Sequence, residues 1–314
     1  MENILEIKNL SKSYGSFKAV DDISLTVRKG SLFAFLGMNG AGKSTTINII
    51  CNILEKDSGK IIVNGNDLDK NADLIKNDIG IVFQNSVLDK DLTVLENLEI
   101  RTSFYSLSKE EKKKNIDQIV KLLDLEPILK KPIKTLSGGQ KRRVDIARAM
   151  VHAPKLLILD EPSTGLDPKT RLMVWNLIDK IRQETGMTVF LTTHYLEEAE
   201  KATYVVIMNK GKIIASGTPF ELKSKYSYDY ILNHLNKNEE LEKELNLRNY
   251  KYSYIKDLKA YKIVIKSSND VKILLNELSD YFNDIEVLKG TIDDVFLNVT
   301  GNNISNEENK NNEK

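Results

Sequence analysis

The stretch with the most direct chemical reading is Gly37-Met38-Asn39-Gly40-Ala41-Gly42-Lys43-Ser44-Thr45. It follows the apolar run Leu32 to Leu36 and opens a helical pattern toward Cys51, so G-x-x-x-x-G-K-[ST] stands in the strand–loop–helix setting that it needs. Glycines let such a loop curl until its N–H groups, from Gly37 through Asn39, Gly40 and Ala41 to Thr45, converge on phosphate oxygens, and the helix start adds a favourable dipole. Lys43 then supplies a point charge to the outer phosphates and Ser44 a hydroxyl to Mg²⁺. Further on, Leu156-Leu157-Ile158-Leu159 runs into Asp160-Glu161-Pro162. An apolar strand of a parallel sheet ends at its carboxyl edge, where ligands bind. Asp160 at that edge can hold Mg²⁺, and Glu161 can take a proton from an attacking water. Alone, the two acids could equally be a solvated strand cap; beside a phosphate loop they read as nucleotide-hydrolysing chemistry.

A second anion-binding helix start lies between these two motifs. Leu136-Ser137-Gly138-Gly139-Gln140 precedes the helical pattern Lys141 to Met150, so the Ser137 hydroxyl and neighbouring N–H groups point along a helix axis. One chain has little use for two such sites unless each half of a dimer lends one to the other. With these residues in this order, the chain resembles the ATP-binding cassette (ABC) transporter ATPases over about residues 4 to 225. The resemblance also takes in Gln84, the run Ser163-Thr164-Gly165-Leu166-Asp167, and His194 in Leu191-Thr192-Thr193-His194. It implies that Gln84 touches Mg²⁺ and the lytic water and couples to the transporter. It implies that His194 contacts the γ-phosphate and holds water in line with Glu161, and that Asp167 carries signals between the two sites. Tyr14 corresponds to the aromatic on which the family stacks adenine. The cofactors implied are ATP and Mg²⁺. The partners implied are a second ATP-binding subunit, as a homodimer, and an integral membrane permease. Met38 stands where many relatives have Pro, at a position that acts through its backbone. The ending Asp293-Asp294-Val295-Phe296-Leu297-Asn298-Val299-Thr300-Gly301 resembles daunorubicin-resistance and sodium-export ATPases, which favours an exporter.

The elements that must position these residues can be sketched from the pattern. Short β-type runs at Leu5 to Ile7, Ile23 to Val27, Leu32 to Leu36, Lys60 to Val63 and Ile79 to Phe83 lie close together, with Gly-containing turns that suggest antiparallel pairing. Later runs at Leu156 to Asp160, Thr188 to Thr192 and Tyr204 to Met208 alternate with helix patterns, which suggests parallel strands. Asn209-Lys210-Gly211 reads as a hairpin turn into Lys212 to Ala215. Residues 86–153 carry helix patterns at Thr93 to Phe104, Lys109 to Leu123 and Gly138 to His152, an inserted helical subdomain whose run Lys109 to Lys114 is a solvated face. The expected fold is α/β: a RecA-like P-loop NTPase core with an antiparallel β subdomain and the helical insert. Residues 226–300 read as βαββαβ, a small α+β accessory domain of ferredoxin-like order, with Thr291 starting its last helix. Residues 301–314 hold almost nothing apolar and are expected to be disordered.

Composition narrows the class. Among 314 residues, Lys+Arg (46) and Asp+Glu (45) nearly cancel, so no broad field recruits nucleic acid, and none is expected as a partner. Cys51, the single cysteine, reads as a small core residue, as does Trp175, while His152 and His234 are expected at the surface. The first residues lack signal-peptide order and no apolar run approaches the ~20 residues of a membrane span. The chain is therefore expected in the cytoplasm, peripheral to the inner face of the membrane through its permease. One rival is a soluble ABC ATPase of translation or DNA repair, against which one cassette, one Cys and no long heptad run weigh; another is a non-catalytic nucleotide-binding regulator, against which Glu161 and His194 weigh.

Overall fold

A computed structural model describes residues 2–265 and 268–301 of the chain. Residues 302–314, most of the expected disordered tail, lie outside the described residues. The chain divides into two compact units, Met1–Thr218 and Pro219–Lys314.

In the first unit the chain runs β1 (Asn3–Tyr14), β2 (Phe17–Arg28), β3 (Leu32–Leu36), α1 (Lys43–Ile50), β4 (Ser58–Val63), β5 (Asn66–Asp67), α2 (Ala72–Asp78) and β6 (Ile79–Val82). Then come α3 (Val94–Ser103), α4 (Lys109–Leu122), α5 (Gly138–Met150), β7 (Leu156–Asp160), α6 (Pro168–Thr185), β8 (Thr188–Thr193), α7 (Leu196–Ala199), β9 (Tyr204–Asn209) and β10 (Lys212–Gly217). Two sheets result. An antiparallel one has the order β2-β1-β4-β5, and a six-stranded one has the order β10-β9-β3-β8-β7-β6. β3, β7 and β8 are buried at every position, as strands covered on both faces must be.

Proximity in sequence misleads for two of the early strands. β3 and β6 leave the antiparallel neighbourhood and pair in parallel within the larger sheet. β1 and β2 also run longer than their apolar cores, with register shifts where β1 bends. The turn at Lys210 (φ 47) and Gly211 (φ 80) has the two positive φ angles of a tight hairpin loop joining β9 to β10.

The second unit runs α8 (Pro219–Tyr226), β11 (Asp229–His234), α9 (Glu239–Leu247), β12 (Tyr252–Ile255), β13 (Ala260–Ile265), α10 (Ser268–Glu277), β14 (Ile285–Leu288) and α11 (Ile292–Thr300). Its antiparallel sheet has the order β12-β13-β11-β14, the ferredoxin-like arrangement that the βαββαβ pattern suggests. Ile231, Tyr261 and Ile263 pack with Leu241, Leu245, Leu274 and Leu278 as its core. The Thr291 hydroxyl accepts from Asp294 N and caps α11.

Trp175 is buried, as its helical spacing predicts. His234 keeps a partly exposed ring 3.5 Å from Glu286. His152 corrects the expectation of a surface residue: it is 7% exposed, its ring stacks on Tyr105 at 4.0 Å, and Nε2 donates to the Ile79 carbonyl at 3.0 Å. The reason is tertiary. α5 packs against β6, and the turn after α5, with Ala153 at φ 55, folds the ring under the start of that strand. Burial pulls the His152 pKa from the usual 6.5 down to about 4. Between those two values the unfolded chain takes a proton that the folded chain refuses, so stability falls as pH falls through this window. Urea unfolding should show wild-type protein losing up to about 3 kcal/mol from this group between neutral pH and pH 4, and His152→Phe should lack that component. Identical acid slopes in the two proteins would contradict it.

Candidate active site

The parallel register decides which loops meet. β3, β8, β7 and β6 lie side by side, with Leu36 opposite Thr193, Thr192 opposite Asp160, and Leu159 opposite Val82. Four carboxyl ends therefore emerge at one edge: the phosphate loop after β3, His194 after β8, Glu161 after β7 and Gln84 just beyond β6. Such an edge is the ligand-binding side of an open α/β sheet.

Two glycines of the phosphate loop are required by close approach. A Cβ on Gly37 would lie 2.5 Å from the Met208 carbonyl, and one on Gly42, at φ 109, would lie 2.2 Å from the Ala19 carbonyl. Gly42 is the N-cap of α1, and no side-chain hydrogen bond closes that first turn. Its N–H groups are thus aimed for an anion, as the donor chemistry of a phosphate cradle demands. Lys43 is buried; its ammonium donates to the carbonyls of Gly37 (2.7 Å) and Met38 (3.2 Å). Burial holds its pKa below the usual 10.5, opposed by the carboxylate of Glu161 at 3.5 Å. Asn39, Gly40 and Ser44 are exposed, Ala41 is buried, and Thr45 is half-buried.

Glu161 is the centre of the cluster. Its Oε2 accepts from Gln84 Nε2 at 3.2 Å and from Thr164 Oγ1 at 3.0 Å, and it lies 3.3 Å from His194 Nδ1. His194 Nδ1 is a buried atom that makes no hydrogen bond among the described residues, which suits a ring that contacts a bound group. The Glu161 backbone is left-handed, φ 46, a conformation that costs a non-glycine residue roughly 1–2 kcal/mol. The surroundings over-determine it. Glu161 N donates to Thr192 Oγ1 at 3.0 Å, and the same hydroxyl donates to Asp160 Oδ1 at 2.6 Å.

Arg142 was not legible as a site residue. Buried in α5, it donates from Nε to the Pro162 carbonyl (2.9 Å) and from Nη1 to the Phe83 carbonyl (2.7 Å), with the carbonyls of Asp160 and Glu161 at 3.5 Å. Its neighbour one turn on, Asp145, accepts from Ser86 Oγ at 3.0 Å. Burial lowers the Arg142 pKa and raises that of Asp145. The one sequence signal is that 142, 145 and 149 share a helical stripe on which Ala149 is apolar.

The remaining expected residues stand apart from this cluster. Ser137 caps α5: its hydroxyl accepts from Gln140 N, and Gln140 Oε1 accepts from Ser137 N. Ser137 and Gly138 are exposed, whereas Gly139 is buried, and a Cβ there would meet Thr170 at 2.9 Å. Asp167 caps α6 through Thr170. Tyr14 is half exposed, with Lys12 Nζ 6.0 Å over its ring.

The family model described as ABC transporter matches residues 20–164. The chain is 40% identical over 230 residues to the linearmycin resistance ATP-binding protein LnrL of Bacillus subtilis, covering 73% of this chain and 74% of that one. The chain belongs to the ABC transporter family. The cassette is also 36% identical over 233 residues to the daunorubicin resistance ATP-binding protein DrrA3 of Streptomyces coeruleorubidus, covering 73% of each chain. Among solved structures it is similar, with a TM-score of 0.61 and 30% identity, to the dimeric post-hydrolysis state of the cassette MJ0796 bound to ADP and Pi. That match covers 68% of this chain and 98% of the other. The resemblance read from the motifs therefore holds, and the chain is an ATP-binding ATPase subunit of the ABC transporter family, similar to two resistance ATP-binding proteins.

Arg142→Met keeps the apolar stem but removes both short guanidinium bonds. Urea unfolding should show a loss of roughly 3 kcal/mol, because buried carbonyls lose charged donors. An unchanged midpoint would mean that Arg142 does not hold these strand ends.

Proposed function

We propose that two copies of this chain form the ATP-driven half of an exporter. Each copy binds MgATP through Lys43, Ser44, Gln84 and Asp160, and presents Ser137 and Gly139 to the nucleotide held by the other. The convergence of Lys43, Gln84, Thr164 and His194 on Glu161 carries this reading. Glu161 serves as the general base toward water, and His194 orients that water and the γ-phosphate. Gln84 links this chemistry to the membrane partner. Mg²⁺ held by Ser44, Gln84 and Asp160 would neutralise phosphate charge, a task for one carboxylate, neutral oxygens and the substrate itself. In the Ser137 cap the hydroxyl uses a lone pair, so its proton is left for a phosphate oxygen. Tyr14 offers an exposed aromatic face to adenine.

A homodimer is supported by the dimeric state of the similar cassette, and export by the resistance functions of the two relatives. No helix among the described residues is long and apolar enough to cross a membrane; in the proposed assembly a separate permease spans it. Exposed Phe104 and Ile53 flank a groove of about 510 Å³ that also takes in Ile81, Phe83 and Tyr105, the kind of apolar surface that a partner helix covers. That partner would hold the cassette at the inner face of the membrane. Residues 1–225 serve as the cassette and 226–300 as its accessory domain.

Glu161→Gln should keep ATP binding, lower turnover by roughly 10²–10⁴-fold and accumulate an ATP-bound dimer visible by light scattering. Near wild-type turnover would remove Glu161 from this role. Lys43→Ala should weaken ATP binding by roughly 10–100-fold in calorimetry, the worth of a charged contact. Unchanged affinity would contradict the phosphate-loop assignment.

A further inference from the structure

Glu198 lies in α7, four positions after His194, yet it is 2% exposed. Its Oε1 accepts from the Ser163 hydroxyl and from Trp175 Nε1 at 3.1 Å, and its Oε2 accepts from Thr193 Oγ1 at 2.5 Å. All three donors are neutral. A buried carboxylate in such company carries a desolvation cost that an apolar residue would avoid. What it does in return is fix where hydroxyl protons point. Thr193 gives its single proton to Glu198, which leaves its lone pairs to accept from Tyr195 N at 2.9 Å. The backbone is thereby pinned on both sides of His194. Ser163 gives its proton to the same carboxylate, and its neighbour Thr164 donates to Glu161 Oε2.

We propose that Glu198 is a positioning residue for the Glu161–His194 pair, a shared acceptor that locks the loop after β7 to the loop after β8. The proposal rests on the roles given above to Glu161 and His194. Its Trp175 bond ties the same point to α6, the helix capped by Asp167. Glutamine cannot replace it. Trp175 is donor-only, so the amide oxygen must face Trp175 and Ser163, and the amide NH₂ then faces Thr193. Thr193 must then accept from that amide as well as from Tyr195 N, and its proton loses the carboxylate acceptor that fixed its direction.

The test uses the full chain, with turnover, ATP binding by calorimetry and thermal melting measured for each variant. Glu198→Gln and Thr193→Val should lower kcat by roughly 10–100-fold, the cost of misplacing a catalytic group by under about 1 Å, with KM and ATP affinity within about threefold of wild type. Thr193→Ser restores the hydroxyl and should recover most of the rate lost in Thr193→Val. In a His194→Ala background, Glu198→Gln should cause clearly less than its loss in wild type, because part of its effect acts through His194. The proposal is overturned if Glu198→Gln keeps kcat within about twofold, or if its effect multiplies in full with that of His194→Ala. Should Glu198→Gln not fold, the Thr193 pair decides: equal rates for Val and Ser refute it. Glu161→Gln, run alongside, separates the two levels. Normal turnover there sinks the reading of the site itself, whereas an inactive Glu161→Gln beside an unaffected Glu198→Gln sinks only the role of Glu198.

Discussion

The register of the parallel sheet is the constraint on which the site depends. With Leu36, Thr193, Asp160 and Val82 near one another at the same edge, four loops from distant parts of the sequence have no other place to go. Each loop contributes one chemical type: backbone donors and an ammonium after β3, an imidazole after β8, carboxylates after β7 and an amide after β6. A one-residue slip between β7 and β8 would part the Thr192 hydroxyl from Asp160 and from the Glu161 N–H together. β3, β7 and β8 are buried at every position, and the rigidity of strands covered on both faces sets the geometry of the polar groups at their ends.

Around that edge the unit buries an unusual set of charges: Lys43, Arg142, Asp145, Asp160, Glu161 and Glu198. Each is tolerated because its hydrogen-bonding capacity is taken up by a neighbour that itself belongs to the site. Arg142 neutralises the ends of two strands by bonding their carbonyls, and Lys43 is folded back onto the loop that it serves. The left-handed turn at Glu161 fits the same logic, since it is held by bonds from both sides rather than by any preference of glutamate. Polar networks of this kind are rigid when every member is satisfied, which is what the base role proposed for Glu161 requires.

The two helix starts differ chemically. Gly42 leaves the first turn of α1 without a side-chain cap, whereas Ser137 closes α5 with a reciprocal box through Gln140. The first leaves bare N–H groups, which in the proposed function serve the nucleotide of its own chain. The second keeps a structured, exposed turn whose hydroxyl can still donate outward. α5 also carries Arg142 and Asp145, which grip the loop holding Gln84. In the proposed dimer, α5 would present its Ser137 end to the second copy while its flank holds the Gln84 loop of its own chain, a direct physical link between the two.

Much of the site was legible because its chemistry is local. The phosphate loop, the acid pair and the Ser137 cap each need fixed residue types at fixed short spacing, and a capping box or a glycine-lined turn is set by neighbours within a few positions. The alternation of strands and helices gave the α/β class for the same reason, and the βαββαβ order gave the sheet of the second unit. What the spacing could not decide is which strands pair across long separations. β3 and β6 read as companions of β1 and β4 but join β7 and β8, because burial on both faces outweighs nearness along the chain. His152, Arg142, Thr192 and Glu198 were missed on the same ground. Local sequence separates His152 and Glu198 from surface residues not at all and Arg142 only weakly; the packing of α5 and α7 against the sheet removes these three from water and hands them partners, while the partners of Thr192 are set by the pairing of β8 with β7.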